Sequence, residues 1–294
     1  MILKYKVINN KYKTLRQVLK NEWDISSRLI TKLKKNKSIF VNNNNVYVDY
    51  PLHLGDEIYL NIDFQEWSEN IIPVDMKLDI IYEDEYYLII NKPANMPVHP
   101  SGSHYTDSLS NGIQHYFKQN NITTKIRPVN RIDKDTSGIV VFAKNEYIQE
   151  KLIKQMQTKE FEKEYIAILE GSLTEKAGTI VAPIGRKENS IIERCVSPTG
   201  ANAITHYELI KNFENYCVVQ FKLETGRTHQ IRIHCKHIGH PILGDSLYGN
   251  YNELINRQAL HAYRISFIHP VFNNRVTYEC EIAKDMQVFL ADNN

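Results

Sequence analysis

Four short apolar runs constrain this chain more than any other feature. They are Y-Y-L-I-I-N at 86–91, G-I-V-V-F-A-K at 138–144, E-Y-I-A-I-L at 164–169 and Y-C-V-V-Q-F-K-L at 216–223. Rich in β-branched and aromatic residues and only six to eight residues long, they read as strands. Only two stretches among them, near 106–119 and 145–157, have helical character. Helices therefore do not alternate strictly with strands, which argues against a doubly wound sheet and for an α+β unit with a mixed, largely antiparallel sheet. A chain of 294 residues also exceeds one ordinary domain of ~100–200 residues, so two units are expected. No apolar run approaches the ~20 residues of a membrane span, and M-I-L-K-Y-K-V-I-N-N lacks a signal-peptide core. A monomeric cytoplasmic protein with no membrane partner is the expectation. Cys195, Cys217, Cys235 and Cys280 form no C-x-x-C pair and read as reduced thiols. With neither a phosphate loop nor a G-x-G-x-x-G after a strand, no nucleotide cofactor is expected.

The net charge of +2 conceals a strong asymmetry. Residues 1–38 hold eleven Lys or Arg against Glu22 and Asp24, a net +9, whereas residues 39–70 hold six acids and no Lys or Arg. A basic segment is the footprint of a polyanion partner, or else an ordinary solvated helix face. Periodicity refines the choice. Leu15, Val18 and Leu19, then Leu29, Ile30 and Leu33, recur at i, i+3, i+4, with Ser26 or Ser27 as a cap for the second set. These patterns predict two short amphipathic helices whose polar faces carry Arg16, Arg28, Lys32, Lys34 and Lys35. S-I-F-V and V-Y-V around a turn at Asn42–Asn45, and then G-D-E-I-Y-L, read as a small sheet.

The densest chemistry lies in R-P-V-N-R-I-D-K-D-T-S-G at 127–138. Its Asp133-x-Asp135-x-Ser137-Gly138 imitates a calcium loop, but the twelfth position is Lys144 where a bidentate glutamate is required. D-T-S-G has no second copy to form the paired carboxylates of an aspartic protease. A lone carboxylate before a strand remains, which in an arbitrary protein is more often a turn-former than a catalyst.

Six ordered blocks between residues 83 and 270 change that weighting. E-D-E-Y-Y-L-I-I-N-K-P-A-N-M-P-V-H-P-S, R-I-D-K-D-T-S-G, K-E-Y-I-A-I-L-E-G, E-T-G-R-T-H-Q-I-R-I-H, G-H-P-I-L-G-D-S-L-Y-G and L-H-A-Y-R-I-S-F-I-H-P together resemble the RluA-type pseudouridine synthases. Residues 13–60 likewise resemble the αL-type RNA-binding module first known from a small-subunit ribosomal protein. The expected organisation is that module at 13–60, a linker at 61–71 and a pseudouridine synthase domain at 72–294.

The resemblance implies isomerisation of uridine within RNA, without cofactor or metal. Large-subunit (23S) ribosomal RNA is the first expected target and transfer RNA the alternative; a noncatalytic RNA-binding or ribosome-assembly protein is the competing class. The family's aspartate falls on Asp133, which must stay ionised in a site that excludes water, and an adjacent guanidinium favours that state. Arg232 is the implied partner, with Arg227 the alternative, better suited to a phosphate or loop contact. A helix capped by Thr228 and ended by Gly239 would carry Arg232. Tyr165 matches the family's active-site tyrosine, although by pattern alone it is one more strand residue; Leu260 is an apolar floor for the base, or ordinary core. Arg131 is placed to enter the stack that a flipped uridine vacates. Arg28, Lys32 and Lys35 are the module's expected RNA contacts. Two positions depart from the family: Asn130 replaces a common histidine, and Asn95 replaces a glycine at a turn that asparagine tolerates. His229, His234, His237 and His240 do not share one helical face, so structural roles are expected for them rather than zinc.

Overall fold

The computed structural model describes residues 1–290, and residues 291–294, the end of the expected second unit, lie outside the described residues. The predicted amphipathic faces are inward: α1 (Leu15–Gln17) runs into a π-helical turn at Val18–Glu22, α2 spans Ser27–Lys35, and all six patterned apolar residues are buried. Of the two candidate caps, Ser26 serves, its hydroxyl accepting the Leu29 N–H at 3.1 Å. Strands β2 (Ile39–Val41) and β3 (Asn44–Asn45) are joined through Asn42 and Asn43 alone, with φ of 50° and 65°. Asparagine tolerates the left-handed backbone that a two-residue hairpin demands. V-Y-V continues this hairpin only at Val46, whose N–H donates to the Ile39 carbonyl at 3.3 Å. Tyr47 is exposed and the Val48 carbonyl accepts the Arg16 N–H at 2.7 Å, so the segment turns back to α1.

Strand β4 (Glu57–Asn61) is the centre of the small sheet, and it pairs with an unexpected strand, β1 (Ile2–Lys6), which lies before the 13–60 range. The sheet order is β1-β4-β2-β3. Leu15, Leu29 and Ile58 share one buried apolar cluster with Tyr147, Ile148 and Leu152 of α4 (Glu146–Gln157), so the amino-terminal unit sits on that helix.

The larger sheet contains nine strands. In chain order they are β5 (Ile80–Glu83), β6 (Tyr87–Lys92), β7 (Ser137–Ala143), β8 (Glu162–Glu170), β9 (Ala177–Val181), β12 (Ile204–Asn212), β13 (Tyr216–Leu223), β14 (Leu260–Ile268) and β15 (Arg275–Glu279). Between β9 and β12 stands a separate ribbon of β10 (Ile184–Arg186) and β11 (Arg194–Val196). The order across the sheet is β5-β6-β7-β14-β8-β13-β12-β9, with β15 beside β14. Every pairing is antiparallel except β7 with β14, where only His261↔Ser137 and Ala262↔Gly138 are in register. The fold is thus α+β with a mixed, largely antiparallel sheet. Helix α3 (Leu109–Gln119) packs with β6 and β7 in one buried cluster; α5 (Gln230–His237) belongs to the cluster over β8 and β13. A short α6 spans Lys284–Gln287.

Candidate active site

The segment that precedes the Asp133 turn lies along β7, the Val129 N–H donating to the Val141 carbonyl at 2.8 Å and the Arg127 carbonyl accepting the Ala143 N–H at 2.9 Å, and a side chain ends this pairing. Asn130 is buried, its amide oxygen accepts the Val141 N–H at 2.8 Å, and its amide nitrogen donates to the Ile139 carbonyl at 3.0 Å. The chain beyond it, Arg131 to Asp133, is thereby directed into a cleft. Two further devices fix this turn. Gly138 has φ of +113°, and a Cβ there would lie 2.2 Å from the Ala262 carbonyl oxygen, so only glycine permits the close β7–β14 approach. Lys92, fully buried, donates from its ammonium to the carbonyls of Pro93 (2.7 Å), Met96 (2.7 Å) and Lys134 (2.9 Å). Burial pushes its pKa down to about 7, with Asp135 opposing. Asn95, in the loop that Lys92 ties, has φ of 61°, the left-handed conformation expected of it.

The cleft has a volume of about 1080 Å³. Arg131, Asp133, Tyr165, Arg227, Arg232 and Leu260 all line it, although they come from four separated parts of the chain. Asp133 keeps 28% of its side chain accessible from the cleft. Its Oδ2 accepts from Arg232 Nη1 at 3.1 Å, and Oδ1 takes no hydrogen bond or ion pair among the described residues. Arg227 does not compete: its Nε donates to the Asn202 carbonyl at 2.9 Å and it stays exposed at the rim.

Arg232 is held from behind by a residue that the sequence reading passed over. Asp245 is fully buried, and its two carboxylate oxygens accept from Arg232 Nε (2.6 Å) and Nη2 (2.7 Å). Such bidentate pairing fixes the plane of the guanidinium and leaves Nη1 for Asp133. The Tyr248 ring lies 5.0 Å from the guanidinium carbon, and the Leu247 and Tyr248 N–H groups also donate to Asp245, at 3.0 and 3.1 Å. Burial alone would lower the Arg232 pKa, but Asp245 and then Asp133 hold it above its ordinary value, so the cation persists.

Helix α5 starts differently from expectation. His229, not Thr228, is the N-cap, with φ of 58° and ψ of 22° and no side-chain cap bond. Gln230 closes the approach: its Oε1 accepts the Arg227 N–H at 2.9 Å and the Thr225 hydroxyl at 2.8 Å, tying the preceding turn to the helix start. Gly239, with φ of +85°, ends the helix as its position implies. The histidines have separate partners. His234 contacts Thr205 and Ala182, His240 contacts the Glu170 carbonyl, and His229 contacts Tyr248.

Tyr165, on β8 opposite Phe221, is 7% exposed, and burial followed by the nearby Asp133 raises its pKa, keeping the phenol protonated. Leu260 opens β14 and is also buried. The site therefore offers one accessible carboxylate oxygen, a fixed cation behind the other, a neutral aromatic wall and an apolar floor. Of the residues missed in the sequence, Asp245 and Tyr248 lie in G-D-S-L-Y-G and Lys92 in N-K-P, inside recognised blocks whose individual roles no spacing revealed.

The module residues lie outside this cleft. Arg28 is exposed and 3.3 Å from Glu146. Lys32, expected to face RNA, turns inward: its ammonium sits 2.7 Å from Glu66 and 2.9 Å from Glu146, and 4.4 Å from the centre of the Phe64 ring. Lys35 is exposed, as are Lys34 and Lys37.

Two family models match this chain. The family model described as RNA pseudouridylate synthase matches residues 86–237, and that of the RluD ribosomal pseudouridine synthase N-terminal domain matches residues 5–58. An uncharacterised RNA pseudouridine synthase of Bacillus subtilis, YhcT, is 40% identical over 272 residues, covering 92% of this chain and 90% of its own. Ribosomal large subunit pseudouridine synthase D of Escherichia coli K12 is 35% identical over 246 residues, 79% of this chain and 75% of that protein. Among solved structures, human RNA pseudouridylate synthase domain containing 1 shares the fold with a TM-score of 0.59 and 24% identity, over 70% of this chain and 83% of that one.

Proposed function

This chain belongs to the RluA-type RNA pseudouridine synthases, isomerases that act on RNA, and on that premise we propose that it modifies large-subunit ribosomal RNA with Asp133 as its single catalytic carboxylate. The observation that carries the proposal is the relay from buried Asp245 through Arg232 to Asp133, which ends on the cleft in one oxygen without a partner among the described residues. The reaction must break the bond between ribose and uracil N1, turn the base over and rejoin it through C5. An anionic oxygen beside the sugar serves the first step, and Arg232 pairs with Oδ2 while leaving Oδ1 to the cleft. A base inside a helix or folded loop is beyond reach, so the uridine leaves its stack at a cost of a few kcal/mol. Stacking on Tyr165, ~1–3 kcal/mol per base, offsets that cost in part. Arg131, exposed at the cleft, fills the vacancy. The Tyr165 hydroxyl, held neutral, can hydrogen-bond the displaced base but is not itself the base that takes the C5 proton.

Ribosomal RNA is favoured over transfer RNA by the amino-terminal match to a ribosomal pseudouridine synthase domain. Within the module Lys35, with Lys34 and Lys37, supplies the phosphate contacts, each adding a salt-sensitive increment of affinity. Asp133→Asn removes the charge at nearly constant volume. Pseudouridine mapping of total RNA from cells carrying wild-type or variant protein is expected to show one or more 23S positions lost, with RNA affinity retained in vitro. Isomerisation by the variant would refute the role of Asp133, and losses confined to transfer RNA would move the target.

A further inference from the structure

A second donor stands close to the oxygen that Arg232 holds. His229 Nε2 lies 3.9 Å from Asp133 Oδ2, too far for a hydrogen bond in the free enzyme. Its ring is anchored from the other side: Nδ1 is 2.9 Å from the Tyr248 hydroxyl, whose oxygen receives the Arg194 backbone N–H at 2.8 Å. A backbone amide only donates, so one lone pair of the Tyr248 oxygen is taken. Tyr248 is 5% exposed, and among the described residues His229 Nδ1 is the one acceptor in reach of its own proton. Tyr248 therefore donates to Nδ1, and the neutral imidazole carries its proton on Nε2. The opposite end requires the same tautomer, because a lone pair on Nε2 would face a carboxylate. Burial holds the His229 pKa below its ordinary value despite the pull of Asp133, so the neutral ring is the relevant one.

We infer that His229 is a positioning residue, whose tautomer Tyr248 fixes so that its Nε2–H closes on Asp133 Oδ2 when RNA fills the cleft, leaving Oδ1 to face the ribose. Active-site hydrogen bonds that are long in the free enzyme commonly tighten in this way. The inference rests on Asp133 being the catalytic carboxylate, but its test separates the two.

Two-bond proton–nitrogen correlations in the full-length ¹⁵N-labelled protein report the tautomer without reference to turnover. The expected ring is Nε2–H in the wild type and a mixture in Tyr248→Phe, which keeps the aromatic ring against Arg232. A wild-type Nδ1–H ring would overturn the inference even where Asp133→Asn is inactive; turnover by Asp133→Asn would remove the catalytic reading and leave the tautomer result standing. Single-turnover rates give the second arm. Glutamine at 229 places an amide N–H near the position of Nε2, whereas asparagine is too short, although it suits the left-handed backbone better. His229→Asn is expected to slow the chemical step on the order of 10-fold and His229→Gln by no more than about 3-fold, with RNA affinity unchanged in both. Equal rates for the two variants would overturn the inference.

Discussion

A guanidinium presents five donors in one plane, and at Arg232 the choice of which donor meets Asp133 is made by Asp245. Asparagine at 245 would keep the shape but offer one acceptor oxygen in place of two and leave the buried cation with Asp133 as its only counter-charge. The guanidinium is then free to rotate toward Asp133 and engage both of its oxygens. Asp245→Asn is expected to lower the single-turnover rate on the order of 10- to 100-fold, as loss of a supporting partner does in comparable sites. It should also lower unfolding free energy by roughly 3 kcal/mol, measured by urea titration, since a buried pair has been broken. Unchanged turnover would show that Arg232 needs no such support. At this scale the sequence was legible only where a motif supplied a role. Asp133, Tyr165 and Arg232 do meet at one cleft. Asp245 and His229 escaped because their work depends on neighbours brought together by the fold, and a fully buried aspartate looks like any other in one dimension.

Strands buried on both faces, such as β7, announce themselves as continuous apolar runs, and β13 coincides with the run that predicted it. Strand β15 alternates half-buried with exposed positions, and β12 is exposed over its last three residues, so the apolar signal of both is diluted by charged and polar residues. The opening of α5 departs from its pattern for a different reason: His229 takes the N-cap position in a left-handed conformation, and the Gln230 side chain ties the helix start to the preceding turn at 225–227. What no local pattern could show is the two-residue parallel register between β7 and β14 that sets Asp133 against Tyr165 and Leu260. Gly138 is its test. Alanine there meets the Ala262 backbone at 2.2 Å from oxygen and 2.6 Å from nitrogen, atoms that cannot swing aside, and adds the strain of a positive φ. Gly138→Ala is expected to cost at least about 2 kcal/mol and to reduce turnover by more than about 100-fold as the Asp133 turn shifts. Gly239→Ala, also at positive φ but with no atom within 4 Å of the added carbon, isolates the strain and should cost about 1 kcal/mol with activity kept. Similar stability losses in the two variants would mean that the close β7–β14 approach is not what requires glycine.

Over the whole molecule, the charge divided so sharply along the sequence is partly recombined by folding. Arg16 pairs with Asp49 at 2.9 Å, Lys6 with Glu57 at 3.5 Å, and Lys32 with both Glu66 and Glu146. Glu66 also receives Arg127, while Asp24 and Ser26 contact Lys154 and Glu150 of α4. The basic face read from the sequence is therefore two things: an outward set at Lys34, Lys35 and Lys37, and an inward set centred on Lys32 that fastens the module to the linker and α4. Lys32 retains 22% side-chain exposure and Glu146 10%, so the cluster lies between a surface pair and a buried one. Lys32→Ala is expected to cost about 1–2 kcal/mol and to expose the linker to limited proteolysis, whereas Lys35→Ala should leave stability unchanged and weaken RNA binding. The pH dependence follows from Glu66. Burial alone would raise its pKa, but Lys32 and Arg127 bring it below the ordinary 4.5. A carboxylate whose folded pKa is depressed contributes stability that is present above its unfolded value and lost as pH falls through the folded one. Linker cleavage should therefore stay slow from neutral pH down to about 4.5 and accelerate below it, and Glu66→Gln should be cleaved quickly throughout. A cleavage rate independent of pH in the wild type, or unaltered by either Lys32→Ala or Glu66→Gln, would mean that the apolar contact with α4 alone holds the two units together.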